Sequence, residues 1–160
     1  MDLLSALPSL LPQACKWAEH HSAHIERFGE RLAPRGLEMA RRVGVLDPER
    51  VRICFVPEIP RPDDPALSEA CEASGMLGPE TLGLTLFYGI YMNTGCRHEE
   101  RMLVHELRHV AQYEMFGSIP EYLAVYLPQI VQHGYLASPF EQDAAAAEMV
   151  IINNSDLTFQ

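Results

Sequence analysis

The sequence predicts an α+β domain in which N-terminal helices and a small, mostly antiparallel sheet precede a helical half. Three observations carry that expectation. Apolar residues recur at helical spacing before residue 45, two short β-branched and aromatic runs follow, and helical patterning takes over from residue 98.

Taken in order, Trp17, His21, Ile25, Phe28 and Leu32 share one face of a helix over residues 14–32. The stretch before it, "MDLLSALPSLLPQAC", is mildly apolar, but it lacks a basic start and is interrupted by Pro8 and Pro12, so it is not expected to be a secretory signal. "PRGLEMARRVG" is a second helix, opened by a proline suited to a first turn and ended near Gly44. "VRICFVPEI" reads as a strand, and "PRPDDPALSEAC" as a proline-rich loop entering a short helix. "TLGLTLFYGIYMN" is a second strand or a hairpin, closed by the turn "NTG". A helix over 98–116 ends at Gly117, and "SIPEYLAVYLPQIVQHG" is a second one, bent or broken at Pro128. "SPFEQDAAAAEMV" is a third, with Ser138 as N-cap and Pro139 in the first turn. Residues 153–160 form a polar, frayed tail to a single domain of 160 residues.

Composition narrows the function. A net charge of -10 disfavours nucleic acid and anionic membrane as partners. No apolar run reaches the ~18 residues of a membrane span. The four cysteines are scattered without a C-x-x-C pair, which fits reduced thiols and a cytoplasmic location.

The chemistry concentrates in "LVHELRHVAQYE". His105 and His109 are four apart, so a helix projects both imidazoles from one face, where they can reach one zinc ion at about 2.0–2.1 Å. Glu106 lies roughly 100° around that helix, placed to act on a water at the metal as general base. Leu103, Leu107 and Val110 fall on the side away from the imidazoles. The plainer reading of the same residues is a solvated helix that holds no metal.

A catalytic zinc site needs a third protein ligand. Cys96 is nine residues upstream, roughly 13 Å along a helix, too far unless the chain doubles back. The downstream candidates are Glu121, His133, Glu141, Asp143 and Glu148. Ser118-x-x-Glu121 and Ser138-x-x-Glu141 both read as capping boxes, which gives each glutamate a structural use. Glu121 follows the end of the motif helix, some 10 Å past His109, whereas the helix from 138 begins after the chain has run back alongside. Glu141 is therefore the expected ligand, with Asp143 next. Gln112, one turn beyond His109, is placed to orient an imidazole. Tyr113, Tyr126, His133 and Tyr135 are the candidate oxyanion partners, although packing or a helix-end role explains each of them. Arg108 beside the motif fits a salt bridge to a neighbouring helix. His20 and His24, also four apart, fit a solvated helix face.

"GLTLFYGIYMN", "LVHELRHVAQYE" and "ASPFEQDAAAA" together resemble the gluzincin-type zinc metallopeptidases, and among them small bacterial metallopeptidase domains. The resemblance covers roughly residues 82–147. It implies a zincin-like fold, Zn2+ on His105, His109 and Glu141, Glu106 as general base, and a peptide or small-protein substrate. It also implies that the strand before the motif helix borders the cleft and pairs with an extended peptide. The chain departs from the pattern in lacking an exopeptidase signature and the large C-terminal domain that completes many gluzincin clefts. The rival expectation is a catalytically inactive zinc-binding module that uses the scaffold for interaction or regulation. Retention of Glu106 favours the enzyme, since a structural zinc site has no use for a base. The sequence sets no oligomeric state and no cleavage preference.

Overall fold

A computed structural model describes the backbone of residues 1–157 and the side chains through Met149. Ten helices and strands build an α+β fold: α1 (Leu3–Phe28), β1 (Glu30–Arg31), α2 (Pro34–Arg42), β2 (Arg52–Val56), α3 (Pro65–Ser74), β3 (Gly83–Leu86), β4 (Gly89–Asn93), α4 (Glu100–Phe116), α5 (Ile119–His133) and α6 (Pro139–Leu157).

The sheet runs β1-β2-β4-β3. Its two outer pairings are antiparallel, as expected, but β2 and β4 pair in parallel, so the sheet is mixed. Alternation sorts the side chains of β4. Ile90 and Met92 join α2 and α4 in one core, while Tyr91 joins Leu86, α1 and α5 in the other. The sheet thus separates two apolar cores, and β3 is its edge on the side that α4 approaches.

Several helix boundaries differ from expectation, two of them at prolines. α1 starts at Leu3 rather than residue 14, capped by the Asp2 side chain, and carries Pro8 and Pro12 inside it. α5 runs unbroken through Pro128. Each proline removes one N–H and frees the carbonyl four residues earlier. Those carbonyls belong to Leu4, Pro8 and Ala124, all exposed, so water can serve them. α1 also ends at Phe28, and Leu32 is buried after the chain has left the helix. α6 continues to Leu157, five residues into the stretch expected to fray; residues 158–160 of that stretch lie outside the described residues.

"TLGLTLFYGIYMN" forms a tight hairpin, with Leu86 opposite Gly89 and Phe87 and Tyr88 at the turn. Phe87 takes φ +60, the left-handed region that a two-residue hairpin turn requires, and its ring lies 4.5 Å from Tyr88 and 5.6 Å from Tyr113. No described helix is long and apolar enough to cross a membrane.

Candidate metal centre

α4 carries the motif because its apolar residues sit at helical spacing and a glycine stops it. Val104, Leu107, Val110 and Ala111 are buried in the core shared with α2, β2 and β4. Gly117 takes φ +84 and its N–H bonds the Tyr113 carbonyl at 2.9 Å, which closes the helix end. α6 lies antiparallel along α4. Gln112 meets Phe140, Arg108 meets Asp143, and Arg101 meets Glu148. That alignment lays Glu141 across the two imidazoles.

Three side chains converge. His105 Nε2 stands 3.1 Å from Glu141 Oε2, His109 Nε2 3.2 Å from Glu141 Oε1, and the two Nε2 atoms 3.2 Å apart. Two ligands each about 2.1 Å from a tetrahedral ion stand about 3.4 Å apart, so this spacing suits a shared small cation. Both His109 and Glu141 are buried, and His105 is partly open to solvent.

The groups behind the imidazoles fix which nitrogen faces inward. Gln112, 1% exposed, points its Nε2 at the Phe140 carbonyl (2.9 Å) and at Asp143 Oδ2 (2.8 Å), both acceptors. Its Oε1 therefore faces His109 Nδ1 at 2.8 Å, and also accepts from the Tyr122 hydroxyl at 3.0 Å. His109 must donate from Nδ1, which leaves Nε2 with its lone pair toward the convergence point when the ring is neutral. Glu148 lies behind His105, with Oε1 3.5 Å from Nδ1. Tyr126 donates to Glu141 Oε1 at 2.6 Å and holds the carboxylate in place.

The electrostatics favour a positive charge at this point. Burial pushes the Glu141 carboxyl up, but hydrogen bonds from His105, His109 and Tyr126 outweigh it and hold the group far below the usual carboxylate range. Burial lowers His109, yet its hydrogen bond to Glu141 and the charges of Glu141 and Glu106 raise it to about 9. His105 is raised in the same sense, burial opposing and Glu141 prevailing. Without a metal, protons supply the charge that the cluster calls for.

Glu106 is outside this donor set and turns toward β3. Its Oε2 accepts from the Thr85 hydroxyl at 2.6 Å, and Gly83 leaves room for the carboxylate, since a Cβ there would sit 2.6 Å from Oε1. Glu106 borders both an apolar cavity, which it shares with His109 and Glu141, and an open cleft, which it shares with His105.

The remaining expected residues separate. Asp143 binds Arg108 at 2.7 Å and Gln112, not the convergence point, and Arg108 thereby ties α4 to α6 as a salt bridge. Tyr113 is core, its ring 3.7 Å from Tyr122 in a stack. Tyr126 is spent on Glu141. His133 is exposed at the end of α5, on the wall of the open cleft. Tyr135 lines both the cavity and the cleft; burial and the Glu141 charge hold its phenol well above its usual range. Glu121 is exposed, and its backbone N–H is capped by Ser118 at 3.2 Å. Ser138 holds the N-cap position before Pro139 as expected, its carbonyl accepting from the Gln142 N–H at 3.0 Å, but its hydroxyl donates to the Tyr135 carbonyl at 2.9 Å. His20 and His24 are exposed on α1.

Sequence reasoning missed Thr85, Gly83 and the anchoring role of Tyr126. A glycine inside a strand is a signal of close approach, and Gly83 carried it. Comparison with protein-family models, with curated proteins and with solved structures finds no match for this chain.

Proposed function

We propose that this chain is a zinc-dependent hydrolase of peptide or related amide bonds, with His105, His109 and Glu141 as the metal ligands. The observation that carries the reading is the convergence of three side chains, the His105 and His109 Nε2 atoms and the Glu141 carboxylate, at 3.1–3.2 Å beside a carboxylate that is not one of them. A largely buried His, His, Glu set suits zinc, and oxygen acceptors behind the imidazoles, the Gln112 amide for His109 and the Glu148 carboxylate for His105, are how proteins orient such ligands. When bound, the ion would supply Lewis acidity and make water acidic enough to ionise near neutral pH.

The chain's own residues would do the rest. Glu106, held by Thr85, takes the proton of the attacking water and passes it to the leaving amine nitrogen. β3 is an edge strand. The bond from Asn93 N–H to the Leu82 carbonyl sets the alternation, so Leu84 and Leu86 pair with Tyr91 and Gly89 of β4 while the backbone of Gly83 and Thr85 faces outward, where an extended substrate could add as a strand. Tyr135, beside Glu141, is positioned to donate to an oxyanion. Free thiols at all four cysteines fit a reducing, cytoplasmic setting.

Glu106→Gln separates this reading from a non-catalytic zinc module. Zinc content should stay at one per chain while cleavage of a peptide library falls by about 10²–10⁴-fold. Full activity in Glu106→Gln would remove the base from the mechanism. Wild-type protein that binds zinc and cleaves nothing would favour the interaction module.

A further inference from the structure

The apolar cavity that opens on Glu106, His109 and Glu141 has a volume of about 140 Å³. A cavity of about 150 Å³ lined by apolar side chains stays dry and admits a hydrocarbon ligand. The lining of this one is drawn out along two helices. One face of α1 lines it from Leu3 through Leu10 to Ala18, a run of about 22 Å along the helix, and α5 lines it from Tyr122 to Val131, about 13 Å. A single compact side chain would touch only a turn or two of each helix.

The open cleft on the His105 side is different in kind. Glu80, Glu99 and Glu148 border it, and Arg101, the cation among its walls, is paired to Glu148 at 3.4 Å. The two spaces meet at Glu106. One half of a substrate is thereby directed into hydrocarbon, and the other into an acidic, open groove.

We infer that the substrate is an N-acyl amine whose acyl half is a linear aliphatic chain, lodged in the cavity along α1 and α5, and whose amine half lies in the acidic cleft. This rests on the hydrolase reading of the same site. The oxygen of water adds to the acyl carbon, the carbon–nitrogen bond breaks, and both protons of the water end on the nitrogen. The products are a fatty carboxylate and an amine, which becomes ammonium and leaves through the cleft of matching charge.

The test uses zinc-loaded protein and lysinamides acylated with acetyl, hexanoyl, decanoyl or tetradecanoyl groups, beside phenylacetyl. kcat/KM should rise by about fourfold per methylene until the cavity is filled. Ala14→Trp, which projects into the cavity, should abolish the rise while zinc content stays unchanged. Leu10→Ala should move the optimum to longer chains, and serves if Ala14→Trp does not fold. A second arm needs no turnover: decanoate should displace a fluorescent fatty-acid analogue from wild type and not from Ala14→Trp. Cleavage without chain-length dependence, or a preference for phenylacetyl, overturns the inference and leaves the hydrolase intact. If nothing is cleaved, the displacement arm decides: chain binding lost in Ala14→Trp supports the cavity's role, and no displacement overturns it.

Discussion

Gly83→Ala tests the placement of Glu106 without touching a charged group. An added Cβ would stand 2.6 Å from Glu106 Oε1, 3.0 Å from Cδ and 3.2 Å from Cγ. Ordinary contact needs about 3.4 Å or more, so the carboxylate must move by roughly 0.8 Å, at the scale where a misplaced catalytic group loses about 10²-fold in rate. That is close to 2.7 kcal/mol of transition-state stabilisation. The backbone at Gly83 is ordinary strand without positive φ, so alanine fits it. The stability at risk is the Thr85 hydrogen bond to the carboxylate, about 1.5–3 kcal/mol. The assay is kcat on a cleaved substrate, read beside zinc content and a thermal melt. The expected result is kcat down about 10²-fold with zinc retained and the fold intact. Unchanged kcat would refute the claim that β3 positions Glu106 as the base.

Three further outcomes follow from the surroundings of His109. Gln112→Leu strands the Tyr122 hydroxyl, the His109 Nδ1–H and an Asp143 oxygen, so zinc affinity should fall by about 10–100-fold in a competition titration with a chelator. Zinc must also displace protons. His109 titrates near 9 in the metal-free protein, so apparent zinc affinity should fall about tenfold per pH unit as pH drops below that value, and more steeply where His105 is also protonated. The metal-free fold has the opposite trend: the raised His109 contributes stability that is full below about pH 6.5 and is lost as pH rises through about 9. Pulse titrations and melts across pH 6 to 9 would show whether the two trends oppose each other as stated.

Local signals made α4 legible in the sequence, because its apolar period, its H-E-x-x-H spacing and Gly117 all concern one short stretch. Glu141 was reachable by counting helix lengths, since α5 must return before α6 begins. The same residues misled where one motif had two meanings. Ser138-x-x-Glu141 spells a capping box, yet the hydroxyl serves Tyr135 and the carboxylate serves the histidines. Pro8, Pro12 and Pro128 read as breaks because sequence does not reveal that their freed carbonyls face water. The parallel pairing of β2 with β4 and the approach of Gly83 to Glu106 join segments far apart in the chain, so no local pattern encodes them. Tyr126 was visible as a nearby phenol, but its bond to Glu141 depends on how α5 packs.

The central claim is that Glu141 closes a metal site with His105 and His109. Zinc titration of the wild-type chain and of Glu141→Ala, followed by mass spectrometry of the bound metal, addresses it directly. One tightly held zinc per chain is expected in wild type, and a sharp loss of affinity in Glu141→Ala. Equal zinc binding by both proteins, or none by the wild type, would contradict it.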